Sequence, residues 1–260
     1  MDSIDFLKQL KSGKRLYGTS IVSSSPVWPP AVKKAGADFV FIDTEHKPLD
    51  RGTVAQMCLA YSGLGLPPLV RIPSPDPYEA CKVLDGGAAG VLAPYIETPQ
   101  QVRSLVGATK LRPLKGVRLD EALSNRNCLG SELNDYLDRR CAGNFLMINI
   151  ESVPALRKLD EILAVPGLDG VIIGPHDLSI SLGVPEQYEN PRFDEAVAEI
   201  VAKTKEKGLG IGIHFPEHPH LQIKWAQRGL NIILHSSDAR LFQQGLERDI
   251  AAIRRAVGDR

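Results

Sequence analysis

Short apolar runs of four to six residues recur along this chain, each followed by a longer stretch whose apolar positions step by three and four. The first pattern reads as a strand buried on both faces, the second as an amphipathic helix. The alternation is plainest between residues 145 and 179. There Phe145–Ile150 and Gly170–Ile173 are β-type runs, and Val153, Leu156, Leu159, Ile162 and Leu163 between them make one helical stripe. A strand–helix–strand unit makes its two strands parallel neighbours. Each strand is followed at once by a carboxylate, Glu151 and Asp177, so both acids are expected on one rim.

The same rhythm predicts a short helix over 3–11 and strands over 16–22, 38–43, 69–72 and 90–93. Helices are expected over 26–35 and 50–61, from Asp76-Pro77 and from Thr98-Pro99. The last two begin with a capping residue and a proline in the first turn. Further on come a helix over 190–207, a strand ending at His214, a helix over 217–228, a strand over 231–235 and a last helix over 239–257. Eight strand–helix units in order favour a (β/α)8 TIM barrel over an open doubly wound sheet, and residues 1–260 suit one such domain. Residues 111–144 interrupt the rhythm: turn residues without a sustained period, then one extra helix in SELNDYLDRRCAGN. Between strands 4 and 5 this insertion is expected to overhang the rim, as a lid or a subunit contact.

Lys+Arg and Asp+Glu both total 31, so net charge favours no polyanion, and no basic stripe with interleaved aromatics suggests nucleic acid. No apolar run approaches a membrane span, and the charged start MDSIDFLKQLKSGKRL is not a signal peptide. Cys58, Cys81, Cys128 and Cys141 lie far apart, as buried thiols of a reducing compartment would, and the expected location is the cytoplasm.

Candidate chemistry collects where strands end: Asp43, Glu45 and His46, then Arg71, Glu97, Glu151, Asp177 and His214. In a barrel of this kind that rim holds the active site. Asp43, three residues before His46, would hold one ring nitrogen and leave the other to move a proton, or would simply cap a turn. Glu151 and Asp177 offer oxygen-only ligation suited to a hard divalent cation, or a helix cap and a turn. Arg71 is either a buried ion-pair partner or a clamp for an anionic substrate. The H-P-H at 218–220 lacks zinc-ligand spacing, and KGLGIG at 207–212 precedes a strand, the wrong order for a phosphate loop. No strand from the second to the eighth ends in lysine, which speaks against Schiff-base chemistry.

Together FIDTEH, LVRIP, IET after strand 4, NIES and IIGPHDLS resemble the motifs of the HpcH/HpaI family of metal-dependent (class II) pyruvate aldolases, from strand 2 to strand 8. The resemblance implies a pyruvate-type TIM barrel and Mg2+, Mn2+ or Co2+ on Glu151 and Asp177, with no organic cofactor. It also implies His46 paired with Asp43 as the proton carrier and Arg71 on the oxo group. Gly174, Pro175, His176, Glu45 and Asn149 complete the expected substrate-binding set. The implied reaction is reversible aldol cleavage of a 4-hydroxy-2-oxo acid to pyruvate and an aldehyde. The implied assembly is a homo-oligomer, a dimer-based hexamer with exchanged last helices; Leu241, Leu246, Ile250, Ile253 and Val257 form a matching stripe. Asn149 stands where the family usually has Gln, and residues 112–118 depart from its P-P-x-G-x-R-G run, leaving the aldehyde open. Oxaloacetate decarboxylation, citryl- or malyl-type lysis and a non-catalytic oxo-acid-binding barrel are the alternatives.

Overall fold

The computed structural model describes residues 1–216 and 218–259. Among these, eight parallel strands close into a barrel in chain order: β1 (Leu16–Ile21), β2 (Phe39–Asp43), β3 (Pro68–Arg71), β4 (Gly90–Ala93), β5 (Phe145–Ile150), β6 (Gly170–Ile173), β7 (Gly210–Phe215) and β8 (Ile232–Ser237). β8 returns to β1 with Leu16 opposite Ile232 and Gly18 opposite Leu234. Helix α1 (Ser3–Lys11) precedes the barrel; α2 (Trp28–Lys34), α3 (Arg51–Gly63), α4 (Pro77–Asp85) and α5 (Pro99–Lys110) follow the first four strands. Then come α6 (Gly116–Ser124), a 3-10 turn (Arg126–Leu129) and α7 (Ser131–Arg140). The second half adds α8 (Val153–Arg157), α9 (Leu159–Leu163), α10 (Pro175–Ser181), α11 (Pro191–Glu206), α12 (Pro219–Gln227) and α13 (Asp238–Val257). The expected helix over 217–228 is α12, and Glu217 lies outside the described residues.

Side chains alternate across each strand, so one row fills the barrel and the other meets the helices. Phe39 and Phe41 of β2 point in with Leu69, Leu92, Phe145 and Met147. Val40 and Ile42 point out, beside Val54, Met57 and Cys58 of α3. Helix α1 plugs the amino-terminal end of the barrel with Phe6 and Leu10. Phe6 stacks on Phe145 at 4.8 Å and meets Phe39 edge-on at 5.5 Å. The rings fit because neighbouring strands carry glycine: a Cβ on Gly18 would come within 2.5 Å of Phe39. With that end stopped, a ligand enters at the carboxyl ends of the strands.

Two expectations need correction. The stripe after β5 is two short helices, broken at Lys158 (φ −113°, ψ 16°), whose N–H turns to the Ala155 and Leu156 carbonyls, short of a full helical turn. The break lets Leu159, Ile162 and Leu163 all bury. The 111–144 segment is more helical than expected and does not overhang the site. It follows α5, which has carried the chain back to the amino-terminal end, and it returns directly into β5. Lys110 fixes that end, donating to the Asn144 carbonyl and pairing with Asp169 ahead of β6 at 2.6 Å. The segment has a small core of its own, Leu111, Ala122, Leu129 and Leu137. Within one chain it is therefore not a lid.

Candidate active site

The inward rows predict what reaches the mouth. Continuing each by twos brings β1 to Ser20, β2 to Asp43, β3 to Arg71, β5 to Asn149 and Glu151, β6 to Gly174, β7 to His214 and β8 to Ser236. Most of these line one cavity of about 790 Å³, with His46, Lys47, His176, Asp177, Glu186 and Tyr188 at its edge.

Asp43 and Arg71 are register partners on β2 and β3, so their side chains leave the sheet side by side. Arg71 donates to both carboxylate oxygens, Nε to Oδ1 at 2.9 Å and Nη2 to Oδ2 at 2.7 Å, and Nη1 lies 3.1 Å from Glu45 Oε2. Burial would raise the Asp43 carboxyl, but the guanidinium and the N–H groups of Glu45 and His46 hold it below its ordinary value. Arg71 has five donors and spends two of them on Asp43, leaving three N–H groups, among them both on Nη1 beside Glu45, for a substrate oxygen. Its plane lies 5.5 Å from the Phe41 ring centre.

His46 is not oriented as the spacing suggested. Asp43 accepts from the His46 backbone N–H at 3.4 Å, and its oxygens are engaged by Arg71. The neighbour of the imidazole is Glu45, with Oε1 3.6 Å from Nε2. Three residues of loop turn the ring back over residue 45, a detail that sequence spacing does not encode.

Glu151 is 7% exposed. Its Oε1 accepts the Tyr95 backbone N–H at 2.7 Å, and its Oε2 packs so close to Gly174 that a Cβ there would lie 2.6 Å away. A side chain at 174 would have to push that oxygen aside. Burial raises the Glu151 carboxyl to about 7; the Tyr95 N–H opposes this, and repulsion from Asp177 and Glu45 adds to it. Asp177 sits in the first turn of α10, half-exposed, with His176 Nδ1 3.8 Å away and His176 Nε2 3.5 Å from Glu186. Asn149 is buried, its Nδ2 donating to the Ile172 carbonyl at 3.3 Å and its Oδ1 without a partner. Pro175 starts α10 with Gly174 as its cap residue.

Glu97 does not join the site: it is exposed and accepts from Ser152 Oγ at 2.7 Å. Among the described residues three other than glycine adopt left-handed backbone, and all three border this mouth: Tyr95 (φ 55°), Glu186 (φ 57°) and Ser236 (φ 54°). Such strain collects where surrounding structure imposes a geometry. Tyr95 presents its N–H to Glu151, and its hydroxyl, bonded to Glu45, is pushed up to about 12. Sequence patterning gave no sign of Tyr95 or Ser236, since a positive φ leaves no trace in residue type when glycine is absent.

A family model described as HpcH/HpaI aldolase/citrate lyase matches residues 21–242, from the end of β1 into α13. The chain belongs to this family. Among HpcH/HpaI relatives, a hydroxypyruvate/pyruvate aldolase of Roseovarius nubinhibens is 32% identical over 212 residues, 80% of each chain. A 5-keto-4-deoxy-D-glucarate aldolase of Escherichia fergusonii is 29% identical over 225 residues, covering 86% of this chain and 87% of the relative. A crystal structure of an HpcH/HpaI aldolase/citrate lyase family protein from Burkholderia cenocepacia superposes with a TM-score of 0.82. It is 27% identical, over 96% of this chain and 99% of that one. The chain is thus a lyase of the aldolase class acting on oxo acids, on a (β/α)8 barrel.

Proposed function

We propose that this barrel catalyses the reversible aldol cleavage of a 4-hydroxy-2-oxo acid to pyruvate and an aldehyde, with a divalent cation. One observation supports this reading above the others. Three carboxylates, Asp43, Glu45 and Glu151, act on a single guanidinium at the cavity mouth, and a fourth, Asp177, repels Glu151. One Arg71 cannot neutralise them, and burial with mutual repulsion has already raised Glu151. A hard 2+ ion answers that charge imbalance.

The residues fit such an ion. Glu151 and Asp177 would hold it, with the remaining positions left to water and substrate oxygens. Mg2+, Mn2+ or Co2+ there would act as a Lewis acid on the 2-oxo acid.

The protein groups divide the remaining work. Arg71 keeps the N–H groups not spent on Asp43 for the oxo oxygen, where negative charge grows as the carbon–carbon bond breaks. Asp43 and Glu45 fix the guanidinium from behind, so it needs no reorganisation. His46, beside Glu45, takes the proton from the substrate hydroxyl and returns one to the pyruvate methyl carbon, help worth about 10²–10⁴ in rate. The substrate carboxylate faces the first-turn amides of α10, at His176 and Asp177. Only Lys47 and Arg71 among the lining residues carry a fixed positive charge, a poor match to a nucleotide-bearing thioester.

The test is pyruvate release from a panel of 4-hydroxy-2-oxo acids, with metal and with excess EDTA. Metal-restored release of pyruvate and aldehyde is expected; pyruvate and carbon dioxide from oxaloacetate, with no release from the hydroxy-oxo acids, would move the assignment to a decarboxylase, and full activity in EDTA would remove the cation.

The reading extends to a homo-oligomer in the cytoplasm. Beyond its first turns α13 leaves the barrel, with Leu241, Phe242, Leu246, Ile250, Ile253 and Val257 between 40% and 65% exposed. An apolar groove of about 600 Å³ lies between α13 and α2. Both suit a second copy, and dimers exchanging α13 would assemble into the hexamer. Light scattering on Ile253→Glu should show a smaller species. The four cysteines are free, as a reducing compartment requires, and no described helix is long and apolar enough to cross a membrane.

A further inference from the structure

One buried carboxylate close to the mouth stands outside the reaction described above. Asp238 opens α13, is 3% exposed and does not line the catalytic cavity. It follows a slip in register between β1 and β8. The two steps from Gly18 to Ser20 face three from Leu234 to Ser237, and Ser236, with its left-handed backbone, lies in the longer stretch. An irregularity of this kind bends its strand and re-aims the residues that follow. Here Asp238 meets the end of β1. Its Oδ1 accepts the Val22 N–H at 2.9 Å and the Ala239 N–H at 2.8 Å, and its Oδ2 accepts the Ser23 N–H at 3.0 Å.

These bonds tie the β1–α2 loop to the far end of the chain. Residues 22–25 form neither helix nor strand, and Val22 lines the cavity, as does Ser20 before it. A bond within the loop, from the Ser25 N–H to Ser23 Oγ at 3.2 Å, shapes it without fixing it to the barrel. Asp238 supplies that fixing, because hydrogen bonds to a charged acceptor are stronger than those between neutral groups.

The barrel decides which end of the substrate this wall meets. With strands closed in chain order, β1 lies across the mouth from β5. Arg71 ends β3, Glu151 follows β5 and Asp177 follows β6, so the oxo acid and its cation take the arc from β3 to β6. The aldehyde half is left with the arc from β7 to β1, where Val22, Pro216, His218 and Ser237 line the cavity.

We propose that Asp238 is a positioning residue for the carbon–carbon step. Through the Val22 and Ser23 N–H groups it sets the wall against which the aldehyde is held, while metal binding and enolisation of the oxo acid proceed without it. The inference rests on the aldolase reading, with Arg71, Glu151 and Asp177 holding the oxo acid.

Asp238→Asn keeps the shape and one acceptor oxygen, but sets an amide N–H against the Ser23 N–H. Three quantities are measured on the full chain: Mn2+ affinity by calorimetry, exchange of pyruvate methyl protons into D2O with Mg2+ and no aldehyde, and pyruvate release from a 4-hydroxy-2-oxo acid. Affinity and exchange should stay within about twofold of wild type while kcat/KM for release falls roughly 10- to 100-fold, as a misplaced reactant requires. Val22→Ala leaves the backbone N–H groups in place and decides the matter if Asp238→Asn folds poorly. It should shift the preference between substrates releasing a small and a branched aldehyde by about tenfold, with exchange unchanged. Normal release in folded Asp238→Asn, equal loss of exchange and release, or no shift in Val22→Ala would overturn the positioning role and leave the aldolase reading standing. A wild type that neither exchanges pyruvate nor releases it would overturn both.

Discussion

Removing the Arg71 side chain separates the two jobs assigned to it. Asp43 is 5% exposed, and Arg71 supplies two of its hydrogen bonds and its counter-charge. Arg71→Ala leaves a buried carboxylate unpaired beside Glu45, which costs about 3–5 kcal/mol when one partner of such a pair is removed. Against a total stability of about 5–15 kcal/mol, the variant should still fold but unfold at clearly lower urea. The cost should depend on pH in a definite direction. In the wild type Asp43 lies below its ordinary 3.8, so its stabilisation is complete above that pH and is lost as acid passes through the lowered value. In Arg71→Ala burial dominates and the Asp43 pKa rises above the ordinary value, so the penalty is largest near pH 7 and shrinks towards pH 4. Arg71→Lys keeps a charge near Asp43 but loses the two-pronged contact and the spare N–H groups. It should recover much of the stability while turnover stays about 10²–10³-fold down. Urea melts at pH 7 and 4.5, run beside pyruvate release, measure both. A penalty for Arg71→Ala that is the same at both pH values would refute the charge argument; wild-type turnover in Arg71→Lys would refute the role in the reaction.

The other predictions concern Glu151 and its surroundings. Because its carboxyl is raised to about 7, a cation must displace a proton below that pH, so Mn2+ affinity by calorimetry should weaken about tenfold per pH unit below 7 and level off above it. A flat profile in wild type, or an unchanged affinity in Glu151→Gln, would show that the ion sits elsewhere. Gly174→Ala puts a Cβ 2.6 Å from Glu151 Oε2 and should displace that oxygen, lowering turnover by about 10²-fold with a small change in melting temperature. Normal turnover would mean the glutamate has room to move. Tyr95→Gly should relieve a left-handed strain of about 1–3 kcal/mol while keeping the N–H on Glu151, so metal affinity should persist; its loss would give the Tyr95 side chain a role in the site.

Much of this molecule was legible from local pattern. The short apolar runs at 39–43, 69–71 and 145–150 put Asp43, Arg71 and Glu151 at strand ends without coordinates, and the carboxyl ends of parallel strands share one rim by topology alone. The limits lay where a side chain's partner is distant in sequence or where the backbone departs from its average. Asp43 faces two candidates, a histidine three residues on and an arginine 28 residues on, and sequence distance favours the wrong one. Glu97 has the right residue type after β4, yet its loop turns it outward to Ser152. Residues 111–144 were placed at the wrong end, because the count of strands hides that the chain had already run back along α5.

Sequence alone determined the order of the eight strands and the residue types gathered at the rim, which follow from short-range periodicity, and the family, which its motifs carry. Tertiary structure decided which acid holds the arginine, which backbone N–H meets Glu151 and what a side chain at residue 174 would meet. Those choices turn on close approaches between segments tens of residues apart, and no local pattern records them.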